Sequence, residues 1–175
     1  MSIPSRPSDP SSASFYPRTF FVTTRTAGGR SLFQAARLAA LFINVLRAYM
    51  RSGKINIHEF VIMPNHVHIL MTVPGNMSLE KAMQLIKGGF SFRANKELGF
   101  RGEIWQPGYS DVRILDDTSF QRHREYIENN PVKTGLAKRP DEYPFGTAHL
   151  KKQKHAEAKA QSLLGSSIGT TEVVP

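Results

Sequence analysis

Residues 55–73 constrain the fold more than any other stretch, because "INIHEFVIM" and "HVHILMTV" are two strand-like runs separated only by Pro64 and Asn65. Runs of this length, rich in β-branched and apolar residues and joined by a two-residue turn signal, predict a β-hairpin. Along a strand successive side chains alternate, so His66 and His68 share one face while Val67, Ile69 and Met71 line the other. Two imidazoles about 7 Å apart at the backbone can converge on one metal ion, since each neutral ring keeps an unprotonated nitrogen. The same pattern fits a half-buried strand whose polar face happens to carry histidines. Spacing alone does not separate the two.

The flanking sequence arranges further elements around this hairpin. "RTFFVTTRT" at 18–26, followed by "AGG", predicts a first strand. From Ser31 to Gly53, Leu38, Leu41, Phe42, Val45 and Tyr49 recur at helical spacing, an amphipathic helix of about five turns with glycine at its end. After the hairpin, Ser78 is placed to cap a second helix whose core stripe is Leu79, Met83, Ile86, Phe90 and Ala94. Gly88 and Gly89 inside it cost about 1 kcal/mol each relative to alanine. They fit either simple tolerance or the close approach of a neighbouring element. "DVRIL" supplies a fourth strand, and "DDTSFQRHREYIENN" a third helix with a Thr118/Gln121 capping box that stops before Pro131. The order βαββαβ predicts an α+β, ferredoxin-like core: an antiparallel sheet with helices on one face, and an added C-terminal helix.

On that added helix, residues fall at about 100° intervals. Phe120 and Ile127 form an apolar stripe, and His123, Tyr126 and Asn130 a polar sector beside it. Asn129 points away. If the polar sector lies over the open side of the sheet, His66, His68 and Asn130 are placed to hold one divalent ion, with the Tyr126 phenol beside it. Taken singly, Tyr126 also fits an amphipathic core tyrosine, and Asn130 a helix-ending asparagine before proline. His58 and His149 have no evident partner and read as solvent or core histidines.

Charge adds a partner. The 175 residues carry a formal +9, and removing residues 151–175 still leaves 19 basic against 12 acidic residues. A basic body suits a polyanion, either nucleic acid or an anionic membrane surface. With 40% hydrophobic residues the composition is that of an ordinary globular domain. There is no cysteine, so disulfides, thiolate ligands and a thiol nucleophile are excluded. "LAALFINVL" is too short to span a bilayer and residues 1–14 lack a signal-peptide core, so a soluble intracellular protein is the expectation. The chain divides into a Ser/Pro-rich disordered leader at 1–15, a single domain at 16–150 and a flexible basic tail at 151–175.

Four segments, "VIMPNHVHILM", "IKGGFSFRANKEL", "IWQPGYSDVRI" and "YIENNPVKTGLA", together resemble the single-tyrosine, single-strand DNA transposases of the HUH superfamily. More narrowly they are similar to the REP-associated tyrosine transposases. The likeness runs in order from about residue 18 to 148. It implies that residues 16–150 form a transposase-like catalytic domain acting as a metal-dependent single-strand endonuclease and strand transferase. It further implies that Tyr126 is the nucleophile, forming a covalent 5′-phosphotyrosine. The metal ligands would be His66, His68 and Asn130, the last a shorter amide where related enzymes often carry glutamine. The ion would be magnesium or manganese rather than a closed structural zinc, given mixed imidazole and oxygen ligands.

The implied substrate is single-stranded DNA bearing an imperfect hairpin, and the implied setting is a bacterial cytoplasm, at the nucleoid when bound. Lys87, Arg93, Arg113, Arg122 and Arg124 are the candidate phosphate contacts. Trp105 and Tyr109 are candidates for base stacking, although Trp105 also fits a core plug. A non-catalytic DNA-binding descendant is the alternative, and nothing in mere binding requires His66, His68 and Tyr126 together. The family includes both monomers and dimers.

Overall fold

A computed structural model describes residues 16–166. The expected leader at 1–15 and residues 167–175 lie outside the described residues. The elements are β1 (Arg18–Arg25), α1 (Ala36–Arg51), β2 (Asn56–Met63), β3 (His66–Val73), α2 (Leu79–Leu98), β4 (Ser110–Ile114), α3 (Asp117–Lys133) and α4 (Thr147–Ser166), with short 3-10 turns at Ala27–Gly29, Leu32–Gln34 and Pro140–Glu142. The four strands form one sheet in the order β2-β3-β1-β4, every neighbouring pair antiparallel. This is the ferredoxin-like arrangement that the order of elements predicts.

The alternation of β3 explains how the sheet acquires two unlike faces. Val67, Ile69, Met71 and Val73 point to one side, where they join Phe20 and Val22 of β1 and Phe60 and Ile62 of β2. α1 and α2 cover that layer with Phe42, Leu46, Met83, Ile86 and Phe90. The stripe read along α2 is buried as expected, and Ser78 caps the helix by accepting the Lys81 N–H at 3.1 Å. Gly89 marks a close approach: a Cβ there would overlap the Tyr49 hydroxyl of α1, whereas a Cβ at Gly88 would meet open space. Trp105 closes one end of the layer against Phe33, Phe42 and Phe90, so the core-plug reading holds for it.

The opposite face carries a smaller apolar cluster of Val61, Met63, Leu70, Ile114 and Ile127, over which α3 lies. β4 ends beside Thr19 of β1, so α3 starts at that edge. From there Phe120 contacts His58, His123 contacts Phe21, and Tyr126 contacts His68. The helix therefore travels toward the Met63–His66 turn.

Four boundaries differ from the sequence reading. The first helix starts at Ala36 rather than Ser31, because a 3-10 turn with Phe33 N–H on Pro64 O lets Phe33 plug the core. The α3 cap is Asp116, whose Oδ1 accepts the Ser119 N–H at 2.7 Å, rather than the Thr118/Gln121 box. α3 also continues through Pro131 to Lys133. Proline removes one donor, but the last turn still closes, with the Thr134 N–H and hydroxyl both on Asn130 O. Finally, residues 151–166, expected as a flexible tail, continue helix α4 from Thr147. Its first turn is anchored, with the Thr147 hydroxyl hydrogen-bonded to Phe60 N and O, and Lys151 ion-paired to Glu59.

Candidate active site

His66 and His68 project from β3 onto the α3 side of the sheet, their ring centroids 4.8 Å apart. Each ring is steered through Nδ1. His66 Nδ1 lies 2.7 Å from Asn65 Oδ1 and His68 Nδ1 lies 2.8 Å from Thr23 Oγ1. With Nδ1–H donating to these oxygens, Nε2 of both rings keeps the lone pair a metal needs. Burial, reinforced by the Arg25 charge, holds His66 below its ordinary range. Burial, then His66 and Arg25, push His68 down to about 3. Both imidazoles are thus neutral at ordinary pH, the form that coordinates.

Tyr126 sits beside them. Its ring lies 5.3 Å from that of His68 and 5.8 Å edge-on from Phe21, and it is 40% exposed. No described residue hydrogen-bonds its hydroxyl. Lys133 Nζ stands 5.4 Å from the ring centroid. Asn130 lies four residues beyond Tyr126, about one turn or 6 Å further along α3. Asn130 is buried, and its Oδ1 has no hydrogen-bond partner among the described residues. A buried carboxamide oxygen without a partner costs about 1–3 kcal/mol, so it fits an atom that awaits a ligand. No three His, Cys, Asp or Glu side chains converge among the described residues. Asn130 is the third ligand that the family resemblance implies for a metal at the histidine pair.

The expected DNA contacts divide. Arg122 and Arg113 are exposed, Arg113 opposite Phe20 on the helix-covered side of the edge strand β4. Arg93 pairs with Glu97 within α2. Lys87 is turned inward, its ammonium donating to Gln106 O and Gly108 O while its own carbonyl accepts from Trp105 Nε1. It pins the loop before β4. Arg124 is held between Glu59 and Glu128. Lys87, Trp105 and Arg124 thus each make contacts within the framework, beside the DNA contacts expected of them. Tyr109 half-buries against the core and lines a recess with Thr23, Arg25 and the rest of the 106–110 loop.

Three neighbours of the site escape the sequence reading. Arg25 and Thr23 stand across from His66 and His68 on β1, visible only once the strand register is known. Lys133 lies seven residues beyond Tyr126, on the same helical face, and is lost when the helix is stopped at Pro131.

A family model described as "Transposase IS200 like" matches residues 15–130, and the chain belongs to that family of transposases. It is 27% identical over 132 residues to the REP-associated tyrosine transposase of Escherichia coli K12, a match covering 75% of this chain and 76% of that one. A solved REP-associated tyrosine transposase bound to a REP hairpin superposes with a TM-score of 0.64 at 27% identity, over 85% of this chain and 84% of that one. No helix among the described residues is long and apolar enough to cross a membrane.

Proposed function

We propose that this chain is a tyrosine-nucleophile enzyme that cuts and rejoins single-stranded DNA next to a hairpin. The observation that carries the proposal is the meeting of the Tyr126 ring with that of His68, whose neighbour on the same strand face is His66. Its similarity to a transposase bound to a REP hairpin supports DNA of that shape as substrate.

In the proposed reaction the Tyr126 oxygen attacks a backbone phosphorus. An Oη–P bond forms, the P–O3′ bond breaks, and the phenolic proton is lost to solvent while the departing 3′ oxygen takes one up. The product strand is held through its 5′ phosphate. One phosphodiester replaces another, so a later 3′ hydroxyl can reverse the exchange and join a new strand without a nucleotide cofactor. A divalent ion, magnesium or manganese, bound by His66, His68 and Asn130 would supply charge neutralisation at the phosphate oxygens. The protein's own groups do the rest. Phe21 packs against the rings of His68 and Tyr126 and limits their motion. Arg25 near the histidines and Lys133 over the Tyr126 ring would offer positive charge to a bound phosphate.

Incubation with end-labelled hairpin DNA and manganese should yield a detergent-stable protein–DNA adduct, absent in Tyr126→Phe. An adduct that persists in that variant rejects Tyr126 as nucleophile. Binding without any adduct, across metals and cognate hairpins, leaves a DNA-binding protein instead.

A further inference from the structure

Glu59 is a buried ionisable side chain with no part in the chemistry above. It lies on β2 just after a register shift between Ile57 and Glu59, and its side chain is 1% exposed. Oε2 accepts from Lys151 Nζ of α4 at 2.6 Å and lies 3.4 Å from Arg124 Nε of α3. Oε1 has no hydrogen-bond partner among the described residues. Glu128, one turn beyond Arg124 on α3, faces the same two cations at 3.4 and 3.8 Å. Burial pushes the Glu59 carboxyl above its ordinary range against the opposing pull of Lys151.

A buried, partly paired charge is a poor way to gain stability, because desolvation offsets most of the attraction. What it can supply is a unique arrangement. α3 needs one. Its buried side chains are few, Ile127, Asn130 and Pro131, with Phe120 packed partly against the same cluster. These apolar groups lie along one stripe, and beyond it, ion pairs aside, only the ring contacts of His123 and Tyr126 with Phe21 and His68 resist rotation of the helix about its own axis among the described residues. Arg124 lies about 60° to one side of Ile127 and Tyr126 about 100° to the other. Tethering Arg124 therefore sets where Tyr126 points.

We propose that Glu59 is a positioning residue: through Arg124 it fixes the rotation of α3, and so the place of the Tyr126 hydroxyl relative to His66 and His68. The functional consequence rests on the proposed tyrosine chemistry, but the structural one does not.

The test is Glu59→Met in the full chain, an apolar replacement of similar length that removes the buried charge and leaves Arg124 and Lys151, both partly exposed, to be solvated. Three quantities are read: the thermal midpoint, the nuclear Overhauser contact between the Tyr126 and His68 rings, and the rate of adduct formation beside DNA affinity. The expected result is a thermal midpoint within a few degrees of the parent, a weakened ring contact, and adduct formation slowed at least tenfold with the DNA Kd unchanged. Glu59→Gln, which keeps an acceptor for Arg124, should recover part of the contact and part of the rate. A folded Glu59→Met protein with the parental ring contact overturns the proposal. If Glu59→Met does not fold, Arg124→Met with Lys151→Met present decides it by the same contact, again lost or kept. Because that contact is read without DNA, a parent that forms no adduct refutes the proposed function alone and leaves the role of Glu59 to be judged on its own measurement.

Discussion

On the face covered by α1 and α2, Val22, Ile62, Val67 and Ile69 are wholly buried in a continuous apolar layer. On the face under α3, a five-residue cluster is interrupted by threonines, histidines and Glu59. His58 Nε2, Thr72 Oγ1 and Thr19 Oγ1 form a hydrogen-bonded row there, with both links 2.7 Å. Burial of a large apolar side chain is worth about 1.5–3 kcal/mol, so the first face supplies most of the stability. The second face holds few such groups and instead fixes the direction of polar ones. The same strands serve both ends, because alternate residues answer to different constraints.

Substitutions on the two faces should therefore fail in different ways. The largest effect belongs to the site: Tyr126→Phe should lower adduct formation more than a hundredfold, while hairpin affinity measured by anisotropy stays within about threefold, since phosphate contacts dominate affinity. His66→Ala should match that loss. A large fall in thermal stability in either variant would break the division between faces. Next, Phe90→Ala on the packed face should cost about 3–5 kcal/mol in urea unfolding. Where the variant remains folded, its adduct chemistry should survive.

Smaller effects sharpen the contrast. Gly89→Ala should cost about 1–3 kcal/mol through overlap with Tyr49, and pairing it with Tyr49→Phe should recover part of that loss. Arg25→Ala should weaken hairpin binding and flatten its salt dependence, as the loss of the proposed phosphate contact would. Arg124→Ala should leave the salt slope nearly unchanged, its charge being engaged by Glu59 and Glu128.

The smallest effect concerns acid. Burial holds His58 below its unfolded value of 6.5. In this range the unfolded chain binds the extra proton, so the stability that neutral His58 contributes is complete above pH 6.5 and declines as pH falls toward its depressed folded value. His58→Gln should narrow the gap between urea midpoints at pH 7 and pH 5. An unchanged gap would place the acid sensitivity elsewhere on that face.

Much of this was legible in the chain itself. The hairpin at 55–73, the shared face of His66 and His68, the Ser78 cap and the α2 stripe all follow from local periodicity and capping chemistry, which the structure preserves. The helical angles that group His123, Tyr126 and Asn130 also survive, and Tyr126 does meet His68. Gly88 and Gly89 could not be told apart, because what a glycine meets across a helix contact is invisible to its own sequence.

What local pattern could not supply came from distant pairing. Arg25 joins His66 only through the β1–β3 register, and Lys133 joins Tyr126 only because α3 passes through Pro131. The charges divide the same way. Lys87, Arg93 and Arg124 look alike in composition, yet one pins a loop, one closes an i,i+4 pair and one is tethered to a carboxylate 65 positions earlier on β2. The sequence by itself determined the order of elements and which residues share a face, since those depend on periods of 2 and 3.6. Only the tertiary structure decided which charges remain free for DNA and how α3 is rotated over the sheet, since both depend on contacts between residues far apart in the chain.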